Sequence, residues 1–182
     1  VKGRTKLKNR KVEDGIVIHA HDWLGYFSGV ALKNQFKLPL VATIHATEYG
    51  RNSGIHNDIQ RYINGIETEL CHEAWRVIVC SEFMKLEVEK ALLTPWDKMD
   101  VIFNGVQADK FDFPFPESES SEFRKQFAAA DEKLIFFVGR MVREKGAHLL
   151  IEALPRVREQ YDKAKLIIVG GGNKDHLIHR AN

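Results

Sequence analysis

Phe136-Phe137-Val138-Gly139-Arg140-Met141-Val142-Arg143-Glu144-Lys145, continued by Gly146, is the stretch on which the fold turns. An apolar run enters Gly139, and three cations, Arg140, Arg143 and Lys145, follow it. A helical pattern then opens at about Gly146, with Ala147, Leu150, Ile151, Leu154, Val157 and Tyr161 on one face. A buried strand giving way to a helix is the unit of an open α/β sheet, and ligands bind outside the carboxyl ends of such strands. Cations beside a helix N-terminus suit a phosphate or diphosphate. Solvated loop charges are the plainer reading of the same residues.

The alternation recurs on both sides of this stretch. Apolar runs read as strands at 16–20, 38–45, 76–80, 99–103, 133–138 and 165–169. Helical patterns fall at 24–35, 82–92 and about 120–129, and from 57 or 58 to 74, where Ile59, Ile63, Ile66, Leu70 and Ala74 share a face. Asn57 or Asp58 can cap that helix, and Ser81 the one after it. Pro155 falls inside the helix at 146–161 and is expected to kink it or cost it one hydrogen bond. The strand runs are continuous rather than alternating, which predicts parallel sheets covered on both faces. Residues 104–120, with Pro114, Pro116 and a Ser/Glu run, are the best boundary. The fold class is therefore α/β, in two half-domains separated by the linker at about 104–120, with a cleft between them.

The composition, 44% hydrophobic and 29% charged with a net charge of +2, is that of a globular protein with a real core. It argues against a general nucleic-acid binder, which needs a basic stripe. The one local excess, Lys2, Arg4, Lys6, Lys8, Arg10 and Lys11, reads as an exposed loop or terminus before an anion patch. Cys71 and Cys80 lack metal-ligand spacing and read as buried free thiols of a reducing compartment. No apolar run approaches the length of about 18 residues expected of a membrane span, and no signal peptide is visible, so a cytoplasmic location fits. The chain starts at Val1 and ends just after a strand–loop signal, and reads as an excerpt of a longer protein.

Several polar groups fall where strands end: His19, His21 and Asp22; His45; Ser81; Asn104; Arg140; and Gly170, Gly171 and Gly172. Any one of them can be structural, but several at one sheet edge point to a site. His19 and His21 are expected on opposite faces of their strand, which would keep them from sharing an ion. With no other ligand set at suitable spacing, no metal site is expected. No G-x-S-x-G elbow, G-x-G-x-x-G fingerprint or P-loop occurs. The triple glycine permits close backbone approach to a ligand, or is a plain strand–helix turn.

Five motifs occur in order: His-Ala-His-Asp-Trp (19–23), Ala-Thr-Ile-His (42–45), Val-Ile-Phe-Asn-Gly-Val (101–106), Val-Gly-Arg-Met-Val-Arg-Glu-Lys-Gly (138–146) and Leu-Ile-Ile-Val-Gly-Gly-Gly (166–172). Together they resemble the retaining nucleotide-sugar glycosyltransferases of family 4, the group of bacterial and archaeal glycogen synthases and sucrose-phosphate synthases. The resemblance covers the chain from about residue 12 onward. It implies a GT-B architecture of two Rossmann-like domains, with 1–106 the second half of the acceptor-side domain and 107–182 the first half of the donor-side domain. It further implies that Arg140 and Lys145, beside Gly139, hold the donor diphosphate. His21 would contact the transferred sugar, with His45 a second sugar contact. Asp22 would orient His21 or cap the following helix. Tyr49 and Arg51 would line the acceptor side, and Gly170–Gly172 would lie near the nucleotide. No metal cofactor is implied; the partners are a nucleotide-diphosphate sugar and a carbohydrate acceptor. The implied reaction is transfer of a hexose, glucose foremost, with retention. The alternatives are a GT-B-like nucleotide-sugar 2-epimerase and a non-catalytic nucleotide-sugar-binding protein. The family's glycine-rich N-terminal loop and its downstream acidic motif are not within these residues, so this piece by itself is expected to be inactive.

Overall fold

The computed structural model describes residues 15–114 and 116–181. The basic run from Lys2 to Lys11 lies outside the described residues. The chain separates into two units, Val1–Val106 and Gln107–Asn182.

In the first unit β1 (Ile18–His21), β2 (Leu40–Ile44), β3 (Arg76–Val79) and β4 (Met99–Val101) form a parallel sheet in the order β1-β2-β3-β4. Ile18 pairs with Leu40, Val41 with Arg76 and Val77 with Met99. The helices α1 (Tyr26–Phe36), α2 (Glu48–Asn52), α3 (Asp58–Glu73) and α4 (Glu82–Leu92) link the strands. Of the two candidate caps of α3 it is Asn57 that acts, accepting the Gln60 N–H at 2.9 Å, and Ser81 caps α4 by accepting the Met84 N–H at 3.1 Å. Leu40, Ala42, Ile44, Val77, Val79, Leu70, Val88 and Leu92 make the core. β2 is central and nearly all buried, whereas β1 and β3 bury alternate residues because their second faces are only partly covered. The fourth strand is shorter than its apolar run: Ile102 and Phe103 lie beyond it, 55% and 70% exposed.

The second unit holds α5 (Glu117–Lys125), β5 (Lys133–Val138), α6 (Ala147–Gln160), β6 (Ala164–Val169) and α7 (Asp175–Ala181). β5 and β6 pair in parallel from Lys133 with Ala164 to Val138 with Val169. Met141, Ala147 and Leu177 pack with Phe137, Ile151 and Ile168, so α6 and α7 cover one face of this pair. The other face leaves Phe136, Val138 and Val169 66%, 68% and 46% exposed. Covering on both faces, expected from the apolar runs, is thus not met here, because both packed helices lie on the side of Phe137 and Ile168. α6 continues through Pro155 as one helix; the missing N–H of Pro155 costs it one backbone bond. No helix among the described residues is long and apolar enough to cross a membrane.

Candidate functional site

Parallel pairing in register brings the carboxyl ends of β1 to β4 to one edge, and the side chains just past those ends meet there. His21 Nδ1 lies 3.0 Å from His45 Nε2, with the two rings nearly parallel at 5.2 Å between centroids. His45 Nδ1 is 3.6 Å from Cys80 Sγ, which lies 3.6 Å from Asn104 Oδ1. His19 Nε2 bonds Thr43 Oγ1 at 2.7 Å. Which ring nitrogen carries each proton depends on the tautomer.

Three readings are corrected here. His19 and His21 do not face opposite ways: their rings stand 4.3 Å apart, because residues two apart on a strand share a face. The argument against a shared ion therefore loses that support. Still, no group of three or more His, Cys, Asp or Glu among the described residues is arranged to hold a metal ion. Asp22 neither orients His21 nor caps the helical turn Trp23–Gly25, to which its side chain makes no cap bond. Its carboxylate accepts the backbone N–H of His45 at 2.8 Å, tying the end of β1 to the loop after β2. Cys71 is buried, its thiol pushed up to about 11 by desolvation, but Cys80 is only half-buried and belongs to the edge cluster.

His19 is held below the ordinary histidine value, first by loss of hydration and then by the neighbouring charges of His21 and His45. An imidazole crowded by two others resists protonation. Tyr49 and Arg51 are not drawn into the histidine cluster. They sit exposed on α2, and Tyr49 lines a groove of about 340 Å³ with Phe83, Leu86, Glu87, Lys90 and Ala91.

Glu67, absent from the sequence candidates, is fully buried. Both of its oxygens lie 3.0 Å from the Glu48 N–H at the start of α2. Burial pushes its carboxyl up to about 7, against the opposing pull of the Glu48 N–H and of Arg51. Thr47, also fully buried, donates to Glu87 Oε1 at 2.5 Å and accepts the Gly50 N–H at 2.8 Å. A signal for Glu67 exists in the sequence: an acid inside the apolar stripe Ile63, Ile66, Leu70 has to be either exposed or bonded.

In the second unit the β5–β6 ladder runs on past the strands: the Gly139 N–H donates to the Val169 carbonyl at 3.0 Å and the Met141 N–H to the Gly171 carbonyl at 2.8 Å. A Cβ on Gly170 would fall 1.7 Å from the Gly139 carbonyl oxygen. The approach of these two backbones therefore requires glycine at 170, while a Cβ on Gly171 would meet open space. Arg140 is exposed, 3.6 Å from Glu144 in a surface pair of the weak kind. The turn Arg143–Lys145 and Gly146, at φ 77, lead the chain into α6. Lys145 backs onto the strand end, its Cβ 4.0 Å from where a Gly139 Cβ would stand. Its ammonium has no hydrogen bond or ion pair among the described residues. Three cations thus stand where β5 leads into a 14-residue helix: Arg140 is weakly paired, and Arg143 and Lys145 have no ion pair among the described residues.

Residues 10–110 match the family model described as Glycosyltransferase Family 4, and residues 118–182 the model for Glycosyl transferases group 1. An uncharacterized glycosyltransferase of Methanocaldococcus jannaschii is 40% identical over 163 residues, 88% of this chain and 42% of that protein. A glycogen synthase of Mycobacterium tuberculosis is 35% identical over 167 residues, 91% of this chain and 38% of that one. The chain thus spans about two-fifths of the length of these curated relatives. Among solved structures, HepE of Anabaena in complex with UDP and glucose superposes with a TM-score of 0.69 at 20% identity, covering 90% of this chain and 42% of that one. At that identity the likeness establishes the fold, that of a GT-B glycosyltransferase.

Proposed function

Because the chain belongs to Glycosyltransferase Family 4, we propose that its parent protein transfers a hexose, glucose foremost, from a nucleotide-diphosphate sugar to a hydroxyl acceptor with retention. The unit at 107–182 supplies the donor clamp and the unit at 1–106 the sugar and acceptor side. The observation that carries this reading is the placement of Arg140 and Lys145. Both are exposed cations at a strand's carboxyl end beside the N-terminus of α6, and Lys145 has no protein partner among the described residues. In such a place the charges are free for phosphate oxygens. As the bond from sugar to phosphate breaks, negative charge grows on the leaving oxygen. Arg140 grips two oxygens through its planar fork and Lys145 acts as a point charge, so the leaving group is stabilised more than the ground state.

In the first unit His21 contacts the sugar near its reacting carbon, backed by the ring of His45 at 3.0 Å, while Asp22 anchors the His45 backbone. The chain's contribution is positioning and charge stabilisation, with no paired carboxylates required of it. The relatives' names support this chemistry: a glycogen synthase is among them, and HepE was solved with UDP and glucose.

The test is a screen of UDP-, ADP- and GDP-sugars against the full-length protein, reading nucleotide release with and without a glucan or small-sugar acceptor. Arg140→Ala or Lys145→Ala should lower turnover by about a hundredfold or more. Near-wild-type turnover in either variant would overturn the clamp. Isomerisation of the donor without acceptor would mark an epimerase instead, and binding without release a sensor.

A further inference from the structure

The loop after β2 is tied down by three carboxylates from three different elements. Asp22, after β1, accepts the His45 N–H. Glu67, in α3, accepts the Glu48 N–H on both oxygens. Glu87, in α4, accepts the Thr47 hydroxyl, which in turn accepts the Gly50 N–H. The segment these ties hold has little apolar anchorage: α2 is five residues long and none of them is buried. A helix this short is marginal on its own, so its placement depends on these bonds. Of the three carboxylates Glu67 is the one with no exposed surface, set inside the apolar stripe of α3. Keeping a carboxyl there is costly unless it is bonded, and its bond goes to the first residue of α2. The exposed side of that helix carries Tyr49 and Arg51.

We propose that Glu67 is a positioning residue for the acceptor-contacting face of the first unit: its carboxylate fixes the start of α2 and, through it, the placement of Tyr49 and Arg51. The inference rests on the reading of these two residues as acceptor contacts. The Glu67 carboxyl, raised to about 7, titrates near neutrality, so the strength of this tie varies over the working pH range. Besides burial, the groups that set its charge are Glu48 and Arg51 of α2 and Asp22 after β1; Cys71, on the same helix, is itself kept neutral by burial. Glu87 of α4 is engaged by Thr47. Ionised, Glu67 grips the N–H strongly but is repelled by Glu48 and Asp22; protonated, it accepts more weakly from a site that suits a neutral group.

The experiment compares full-length wild type, Glu67→Gln and Glu67→Leu. Amide hydrogen exchange over 45–52 reads the loop without reference to activity, and kinetics with the acceptor and nucleoside-diphosphate binding are read separately. In Glu67→Leu the Glu48 amide loses its acceptor, so its exchange and that of Gly50 should quicken by about tenfold or more. kcat/KM for the acceptor should fall by a similar factor, about tenfold, while the Kd of UDP or ADP stays as in wild type. Glu67→Gln keeps one acceptor oxygen; it should recover most of the turnover and lose the limb of the pH–rate profile near 7. Unchanged exchange and acceptor kinetics in Glu67→Leu would overturn the proposal. So would a parallel loss of nucleotide binding, or a Gln variant as impaired as the Leu variant, since Glu67 would then hold the fold rather than the loop. Should the wild type release no nucleotide from any sugar, the functional reading fails while the exchange data still judge the role of Glu67.

Discussion

Glu67 also makes the stability of the first unit depend on pH in a direction opposite to that of most carboxylates. Its carboxyl titrates near 4.5 in the unfolded chain and at about 7 in the folded one, with burial the leading cause. Between those values the folded state holds a proton that the unfolded state has released, so the stability linked to this group is fully present below pH 4.5 and is lost as pH rises through about 7. A gap of about 2.5 on the pH scale corresponds to about 3 kcal/mol at 1.36 kcal/mol per pH unit. Glu67→Gln keeps the shape and one acceptor oxygen and removes the titration. The measurement is urea unfolding at a series of pH values from 5 to 8. Within residues 1–182 Trp23, Trp75 and Trp96 all lie in the first unit, so tryptophan fluorescence of this chain reports that unit. Other titrating groups bend both curves alike; the difference between wild type and variant isolates Glu67. That difference should shift against the wild type by about 2–3 kcal/mol from pH 5 to pH 8. A difference that stays flat, or that grows in favour of the wild type as pH rises, would refute the reasoning.

Three further outcomes follow from the same geometry. Gly170→Ala places a methyl where the Gly139 carbonyl stands, so it should part the ends of β5 and β6 at a cost of about 3 kcal/mol or more. Exchange of the Gly139 and Met141 amides should quicken, and wild-type exchange there would contradict it. Leu93, 81% exposed, closes α4 in the left-handed region at φ 52; Leu93→Gly should stabilise the first unit by about 1 kcal/mol, read as a higher urea midpoint. Ser81→Ala removes the oxygen that accepts the Met84 N–H and should lower that midpoint by about 1 kcal/mol.

The sequence patterns locate the strands and the longer helices to within a few residues, but not the short helices α2 and α7, whose five and seven residues carry too little periodicity to read. Alternation of apolar runs with 3.6-residue periodicity is a local property, and β5, α4 and α6 carry it plainly. The strand-end polar residues were legible because parallel strands expose their carboxyl ends at one edge. What was not legible is which of them touch. Sequence order sets Asp22 beside His21 and Trp23, yet its partner is the His45 N–H, 23 residues away. The triple glycine permits either close approach to a ligand or a plain strand–helix turn; that a Cβ on Gly170 would strike the carbonyl of Gly139 is decided by the neighbouring strand. Glu67 is not legible because helical periodicity lies in the apolar positions, and a buried acid among them looks like an interruption.

By itself the sequence determined the alternating α/β elements, the family and the order of its motifs, since periodicity, punctuation and residue type depend on near neighbours. The tertiary structure alone decided that Asp22, Glu67 and Glu87 converge on one loop, with sequence separations of 23, 19 and 40 to the groups they bind. A hydrogen bond needs its atoms within about 3 Å of each other. Across such separations only strand register and helix placement, set by the packing of the core, bring them that close.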